Sequence, residues 1–442
     1  MSETHTLFSL LGAPPRGEGY RSVRYRFPDA VRESTFFAFA LLDHLRAHGE
    51  GDAPGRLVVL GTTGSHWGLL AGHAAAAVSP DLAGPLRAEE ARLGEDARHD
   101  RVDQGRLDRL AGALEAALGM ACRLRLIPYA LAPDEQTAVL HRIGAEVKPG
   151  SRVSFDVTHG LRHLPMLGLM SALYVSRVRR ARVEGVWYGA ADRIIGGTAA
   201  VTRLDGLLRL AEWTAALHSF ERDGDVRVFV DPLRTDGADP AMLDALDRCG
   251  HFERLHRLDL ARTDAIRALD RLDRNPPPGI GALFEDVVRD ELLWVEVGTD
   301  HRPRQRALAF AHLDRGDSLR ATLLGYEAFI SDLVAEQHPA ADDVPGLMDH
   351  GTRERVKERF DHPPGGMARD PRWPAFAELR MLRNSLAHTS DPLPGREADF
   401  RIWHTRMKQA LASPAAMAAH LRRLFATLFP GHGAGNAPAP SK

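Results

Sequence analysis

Strand-length apolar runs alternate with helical patterns as far as Asp205, and after it the patterns are almost entirely helical. That change of rhythm restricts the fold more than any other feature of the chain. The strand-length runs are Leu7–Leu11, Val23–Phe27, Leu57–Leu60, Leu124–Ile127, Val153–Val157 and Val183–Trp187. Between them, Thr35–Arg46, Leu107–Leu118, Glu135–Val147 and Leu161–Val178 carry apolar residues at helical spacing. Strand–helix alternation specifies a doubly wound α/β layer with a largely parallel sheet. The charged stretch Ser79–Gln104 holds Pro80, Gly84, Pro85 and Gly94 and reads as a surface excursion near the sheet's open end, a lid.

From Gly206 onward come Leu207–Phe220, Ala241–His251 and Leu258–Leu272, then the Pro276-Pro277-Pro278-Gly279 cluster, a boundary signal. Beyond it Ile280–Trp294, Leu319–Val334, Pro374–Ala387, Phe400–Leu411 and Ala415–Leu428 form a second helical set. The expected fold class is α/β followed by all-α. The expected division is 1–205 for the α/β domain, 206–278 for a helical linker, 279–430 for a helical bundle and 431–442 for a disordered tail.

A chain of 442 residues is too long for one ordinary core. Its 44% hydrophobic and 26% charged residues are those of a soluble globular protein. No run of about 18 apolar residues is present, so no membrane partner is expected. The N-terminus lacks a basic, apolar, cleavable leader, so secretion is not expected either. Two cysteines, Cys122 and Cys249, without a CxxC fit a reducing cytoplasm and exclude a thiolate zinc cluster. A net charge of −2 makes any contact with nucleic acid a local one.

Two turns carry candidate chemistry. Gly61-Thr62-Thr63-Gly64-Ser65 follows the run Leu57–Leu60, and Asp156-Val157-Thr158-His159-Gly160-Leu161-Arg162-His163 follows Val153–Val157. In an open parallel sheet, ligands sit beyond the carboxyl ends of the strands, where the strand order reverses. Glycines there let backbone approach a ligand, hydroxyls and N–H groups donate to phosphate oxygens, and Arg162 adds charge. Three other readings use the same residues. They are plain capped strand–helix turns, a metal site from His159, His163 and Asp156, and a serine hydrolase on Ser65, which lacks the G-x-S-x-G elbow. Neither GxGxxG nor Gly-Lys-Ser/Thr occurs.

The segment Asp156-Val-Thr-His-Gly-Leu-Arg-His-Leu-Pro165 resembles the signature of the CRISPR-associated DxTHG-motif proteins, which are Rossmann-like, ligand-sensing (CARF) proteins of type III CRISPR systems. Ser9-Leu-Leu-Gly12, Tyr20–Phe27, Gly61–Ser65, Trp187-Tyr188-Gly189-Ala190 and Leu204–Asp225 resemble the same family in the same order. Ala13 departs from it, standing beside the glycine where a hydroxyl residue belongs. The resemblance covers about the first half of the chain. It implies a cyclic oligoadenylate activator, a ring of four adenylates by family habit, bound at the twofold axis of a homodimer or an assembly of dimers. The implied ligand residues are Gly12, Gly61, Thr62, Thr63, Gly64, Ser65, Thr158, His159, Gly160 and Arg162. Trp213 and Phe220 read as core packing.

Arg383-Asn384-Ser385-Leu386-Ala387-His388 is the one R-x-x-x-x-H pattern in the chain. With Asn384 after the arginine it resembles the HEPN ribonuclease signature, which implies a composite site made by two helices meeting across a dimer. Five positions apart, the two side chains lie roughly 140° apart around a helix. A histidine exchanges protons near neutral pH, an arginine stabilises charge on a phosphorane, and Asn384 positions the phosphate or orients His388. RNA supplies its own 2′-OH as nucleophile, so no metal or other cofactor is expected. The function expected is a cyclic oligoadenylate-activated, metal-independent endoribonuclease that cuts single-stranded RNA in type III CRISPR antiviral defence. The alternative is a sensor or adaptor whose helical domain only dimerises, with or without slow degradation of its ligand.

Overall fold

The computed structural model describes residues 5–13, 20–48, 53–298, 300–337, 349–364, 368–388 and 398–431. The chain divides into two compact units, Met1–Ala211 and Glu212–Lys442. The expected tail lies, from residue 432 on, outside the described residues.

The first unit is an eight-stranded sheet with helices on both faces. Its strands are β1 (His5–Leu11), β2 (Val23–Arg26), β3 (Val31–Ser34), β4 (Arg56–Gly61), β5 (Ala121–Leu126), β6 (Arg152–Asp156), β7 (Arg182–Ile195) and β8 (Thr198–Arg203). Its helices are α1 (Phe37–His48), α2 (Gly68–Ala77), α3 (Pro80–Arg98), α4 (Gln104–Leu118), α5 (Pro133–Glu146) and α6 (His163–Val178). The order is β3-β2-β8-β7-β6-β1-β4-β5, and the five strands from β7 to β5 are mutually parallel. Successive residues of a strand face opposite sides of the sheet. Leu7, Leu11, Leu57 and Val59 accordingly pack under α1, α2 and α4, while Phe8, Leu10, Val58 and Leu60 pack under α5 and α6. Burial on both faces is why these strands read as unbroken apolar runs.

The charged excursion expected over Ser79–Gln104 is instead mostly the 19-residue helix α3. Pro80 sits in its first turn, where a missing N–H costs nothing. Leu93 anchors α3 in the core with no exposed surface. A Cβ on Gly68 of α2 would lie 2.6 Å from the Glu90 carbonyl oxygen of α3, so the two helices meet at backbone distance.

The second unit is helical. After α7 (Asp205–Asp223), within which the two units divide, come α8 (Val230–Asp236), α9 (Pro240–Arg254), α10 (Leu258–Arg274), α11 (Glu285–Leu292), α12 (His301–Asp314) and α13 (Ser318–Gln337). They are followed by α14 (His350–Asp361), α15 (Trp373–His388), α16 (Ala398–Leu411) and α17 (Pro414–Leu428). Trp213, Phe220, Phe229, Leu246 and Leu272 make one core, and Phe329, Phe376, Leu382, Leu424 and Phe425 make another. Trp213 and Phe220 are 1% and 2% exposed, as core packing requires. The proline cluster lies inside this unit, with Pro277 and Trp213 both against Gly281. No helix among the described residues is long and apolar enough to cross a membrane.

Candidate functional site

Strand numbering runs away from β1 in both directions, to β4 and β5 on one side and to β6 and β7 on the other. That is a topological switch point, and the turns after β1, β4 and β6 converge there. Gly12 and Gly160 touch: a Cβ on Gly12 would lie 2.6 Å from the Gly160 amide nitrogen and 3.2 Å from the Tyr20 hydroxyl. The β4 turn is tied to the same point. Ser65 Oγ donates to the Leu11 carbonyl at 2.7 Å, and the His66 amide donates to the Gly12 carbonyl at 2.9 Å.

The hydroxyls of the β4 turn are turned inward. Ser65, 1% exposed, accepts from the Thr62 amide at 2.9 Å, and Thr62 itself is 5% exposed. Trp67 Nε1 donates to the Thr62 carbonyl at 2.8 Å. Thr63 Oγ1 donates to Asp100 at 3.0 Å, and Tyr129 donates to the same carboxylate oxygen. A Cβ on Gly61 would meet Trp67, and one on Gly64 would meet Tyr129. These residues shape the turn around one another.

In the β6 turn Asp156 is 1% exposed. It accepts from Ser9 Oγ at 2.6 Å and from the Thr158 amide at 2.9 Å. Thr158 Oγ1 accepts from the Gly189 amide at 2.9 Å, which fixes the turn to β7. Gly160 has φ 108°, a region open to glycine alone without strain. His159 packs between Phe36 and Tyr20, with ring centroids at 5.4 and 5.0 Å. Burial pushes its pKa down to about 4, so the ring is neutral at pH 7. His163 instead reaches the Tyr129 carbonyl, at 2.7 Å from Nε2. The two histidines therefore go to separate partners, and among the described residues no three His, Cys, Asp or Glu cluster as metal ligands.

Burial raises the Asp156 pKa from 3.8 to about 6, outweighing the Ser9 and Thr158 hydrogen bonds. A raised carboxyl pKa means that the folded state holds its proton more tightly than the unfolded chain. Ionised Asp156 thus costs stability above pH 6, and the cost fades as pH falls toward 4. Asp156→Asn is expected to stabilise the protein by about 2–3 kcal/mol at pH 8, from about two pKa units at 1.36 kcal/mol each. The gain shrinks toward pH 4.5. Melting temperatures of both proteins across that range check it, and an equal gain at every pH overturns the assignment.

Helices α2 and α6 start at these turns, and neither has a side-chain cap, unlike α4, α9, α12, α14 and α17. A helix start attracts anions through its dipole and its backbone amides, although the amides of Leu69, Leu70 and Leu164 already donate to the carbonyls of His66, Trp67 and Leu161. Arg162 is exposed at the start of α6, with no acidic partner among the described residues. Tyr20, Ser9 and His66 belong to this locus and are absent from the ligand residues implied by resemblance. Tyr20 stood in the sequence only as the start of a strand, because its contacts are made across the fold with His66 and His159.

In the second unit, α15 presents Arg383 and Asn384 and ends at His388. Asp370 bonds the Arg372 amide at 2.7 Å just before the helix, and Phe376, Leu379 and Leu382 bury its inner face. On the same helix Glu378, 2% exposed, receives Arg423 at 2.8 Å. Arg383 is different. Its Nη1 donates to Asn384 Oδ1 at 3.0 Å, and its guanidinium lies over the Tyr326 ring. Its Nε is buried without a hydrogen bond, and no carboxylate pairs with it among the described residues. The His388 side chain lies outside the described residues.

Residues 6–192 match the family model "CRISPR system endoribonuclease Csx1, CARF domain". CRISPR-associated protein MJ1674 of Methanocaldococcus jannaschii is 23% identical over 107 residues, 23% of this chain and 17% of that protein. The chain thus spans under a fifth of that relative's length. Among solved structures, Enterococcus italicus Csm6 bound to cyclic hexa-2'-fluoro-hexa-dAMP is similar over 97% of this chain and 95% of that one. The identity is 13% and the TM-score 0.37, a value at which the likeness carries no weight.

Proposed function

We propose, from the match of residues 6–192 to a CARF-domain model, that the N-terminal domain is a type III CRISPR CARF domain and that the protein is a ribonuclease switched on by cyclic oligoadenylate. The activator's phosphates lie against the starts of α2 and α6, Arg162 and the backbone of Gly12 and Gly160. The helical unit cuts single-stranded RNA with Arg383, Asn384 and His388. The observation that supports the enzymatic half is Arg383, whose Nε is buried without a hydrogen bond and which has no carboxylate partner among the described residues, on the helix that ends at His388.

In the cleavage step the 2′-OH attacks the adjacent phosphorus and the 5′-oxygen leaves. A 2′,3′-cyclic phosphate and a free 5′-OH result. His388 exchanges the protons, Arg383 stabilises the charge on the phosphorane, and Asn384 holds Arg383 through their hydrogen bond. Every step is served by side chains and the RNA itself, so cleavage is expected to continue in excess EDTA. The activator acts only as far as it prefers the competent arrangement.

Purified protein with labelled RNA, with and without cyclic tetra- and hexa-adenylate, tests the reading. Cleavage that appears only with ligand supports it. Tight ligand binding with no cleavage under any condition leaves a sensor or adaptor and overturns the enzymatic half.

Pairing of two copies is part of the reading, because a cyclic ligand has the symmetry that two copies of one turn supply. On α6, directly after the β6 turn, Met166 and Met170 are 69% and 53% exposed, with Leu161 at 45% nearby. The methionines are four apart and share a face. Met166→Asp combined with Met170→Asp is expected to give a monomer by light scattering and to abolish activation by ligand. A double variant that stays dimeric places the interface elsewhere.

A further inference from the structure

Arg383 lines a cavity of about 360 Å³ in the helical unit. That volume is in the range of sites for small ligands, roughly 300–1,000 Å³. The other walls come from separate parts of the chain: His256 between α9 and α10, Gln305 on α12, Leu323, Leu324 and Glu327 on α13, and His350 and Arg353 on α14. The charges are unequal. Arg353 holds Glu327, with Nη2 2.5 Å from Oε2, and also donates to Ser331 Oγ at 3.0 Å. The one carboxylate among these residues is therefore already engaged, while the Nε of Arg383 is buried without a partner. A walled cavity with an unbalanced guanidinium is completed by an anion.

The remaining walls suit what is joined to that anion. Leu323 and Leu324 are apolar and match the face of a ring. His256 sits at φ 58°, an uncommon conformation for a residue other than glycine. Its amide bonds the Glu253 carbonyl at 2.9 Å, and the next amide, of Arg257, bonds Phe252 at 2.9 Å. The backbone thus fixes where this imidazole stands. Burial lowers its pKa, first of all, and the positive charge of Arg320 acts the same way. An imidazole offers two ring nitrogens for hydrogen bonding.

We propose that this cavity is a nucleotide subsite for the RNA: the phosphate lies on Arg383, the base packs on Leu323 and Leu324, and His256 hydrogen-bonds that base. The proposal rests on the reading that Arg383 and His388 cut RNA. It adds that the preference for the nucleotide beside the cut is set partly by the α9–α10 turn, a part of the chain that the sequence assigns to a linker.

The test uses full-length protein with activator and two variants. Leu323→Phe fills the cavity, and His256→Asn removes the ring while keeping a residue that tolerates φ above zero. Binding is read by anisotropy with an uncleavable 2′-O-methyl oligoribonucleotide. KM, kcat and the ends cut from a randomised RNA are read in parallel. Leu323→Phe is expected to weaken oligonucleotide binding and raise KM about tenfold, a loss of ~1.4 kcal/mol. His256→Asn is expected to flatten the preference at the nucleotide next to the cut. If both variants keep wild-type KM, affinity and cutting pattern, the subsite is wrong while the ribonuclease reading stands. If the wild type cuts no RNA, the ribonuclease reading is wrong, and the cavity is judged by binding: undiminished affinity in Leu323→Phe overturns it. Should Leu323→Phe fail to fold, by its melting curve, His256→Asn alone decides.

Discussion

Arg383→Ala is expected to slow RNA cleavage by about 10³-fold at saturating activator, the loss found when a donor that stabilises transition-state charge is removed. In free energy that is ~4 kcal/mol of barrier. The melting temperature is expected to stay put or rise slightly. The reason is local: deleting Arg383 orphans no acid among the described residues, because none pairs with it. Arg423 on α17 gives the opposite result. Its loss leaves Glu378, buried at 2% exposure, with Arg406 and His420, each at 3.7 Å, among the described residues. Arg423 is itself half-exposed, so the loss of this charged hydrogen bond costs roughly 1–2 kcal/mol of stability. Arg423→Ala should therefore lower activity through unfolding, and Arg383→Ala without it. Arg383→Lys keeps the charge but loses the planar fork, so little of the rate is expected back. Initial rates together with calorimetric melting separate these cases. An Arg383→Ala protein that cuts RNA at the wild-type rate overturns the catalytic assignment.

The second large effect is expected at Gly12. Its absent Cβ would stand 2.6 Å from one backbone atom of Gly160 and 3.0 Å from another. Backbone does not swing aside as a side-chain end does, so Gly12→Ala must push the β1 and β6 turns apart. Overpacking of this kind costs roughly 1–3 kcal/mol. For a unit of this size, ~2 kcal/mol lowers the melting temperature by about 4–8 °C. The larger consequence is expected for the activator, whose phosphates lie against both turns in the proposed site. Affinity is expected to drop about 100-fold, ~2.7 kcal/mol. Gly64→Ala is the control, since its new methyl meets the ends of the Tyr129 and Asp100 side chains, which can rotate away. Its effect on affinity is expected to be several-fold at most. Calorimetric titration with cyclic tetra-adenylate reads both. Equal affinities for the two variants would falsify the shared role of Gly12 and Gly160.

The α/β layer was legible in the sequence because the central parallel strands β1, β4 and β6 are buried on both faces and so write themselves as apolar runs. Strands β3 and β8 were not legible. β3 is the tetrapeptide Val31–Ser34 with Val31 44% exposed, and it carries no apolar signal. Helix α2, GLLAGHAAAA, was missed for the opposite reason: it is apolar almost throughout and has no periodicity to read. Helix α12 hid behind its own charges. His301, Arg304, Gln305 and His312 are buried there, and pattern reading places such residues outside. At the candidate site, glycines and the DxTHG run pointed to turns that the fold brings together. The direction of each hydroxyl did not follow from the sequence, because Ser65 and Thr62 serve partners on another strand and on their own turn.

The close seat of α2 on α3 has a mechanical consequence. With Gly68 and Gly72 leaving no side chain between the helices, Glu90 rests directly on α2, and the Arg98–Arg101 segment is moored to the β4 turn through Asp100 and Thr63. The two helices therefore pack as one element, tied to the β4 turn by the Thr63–Asp100 hydrogen bond. A side chain at Gly68 would have to part α2 from the α3 backbone at Glu90, and is expected to disturb the β4 turn along with the helix pair.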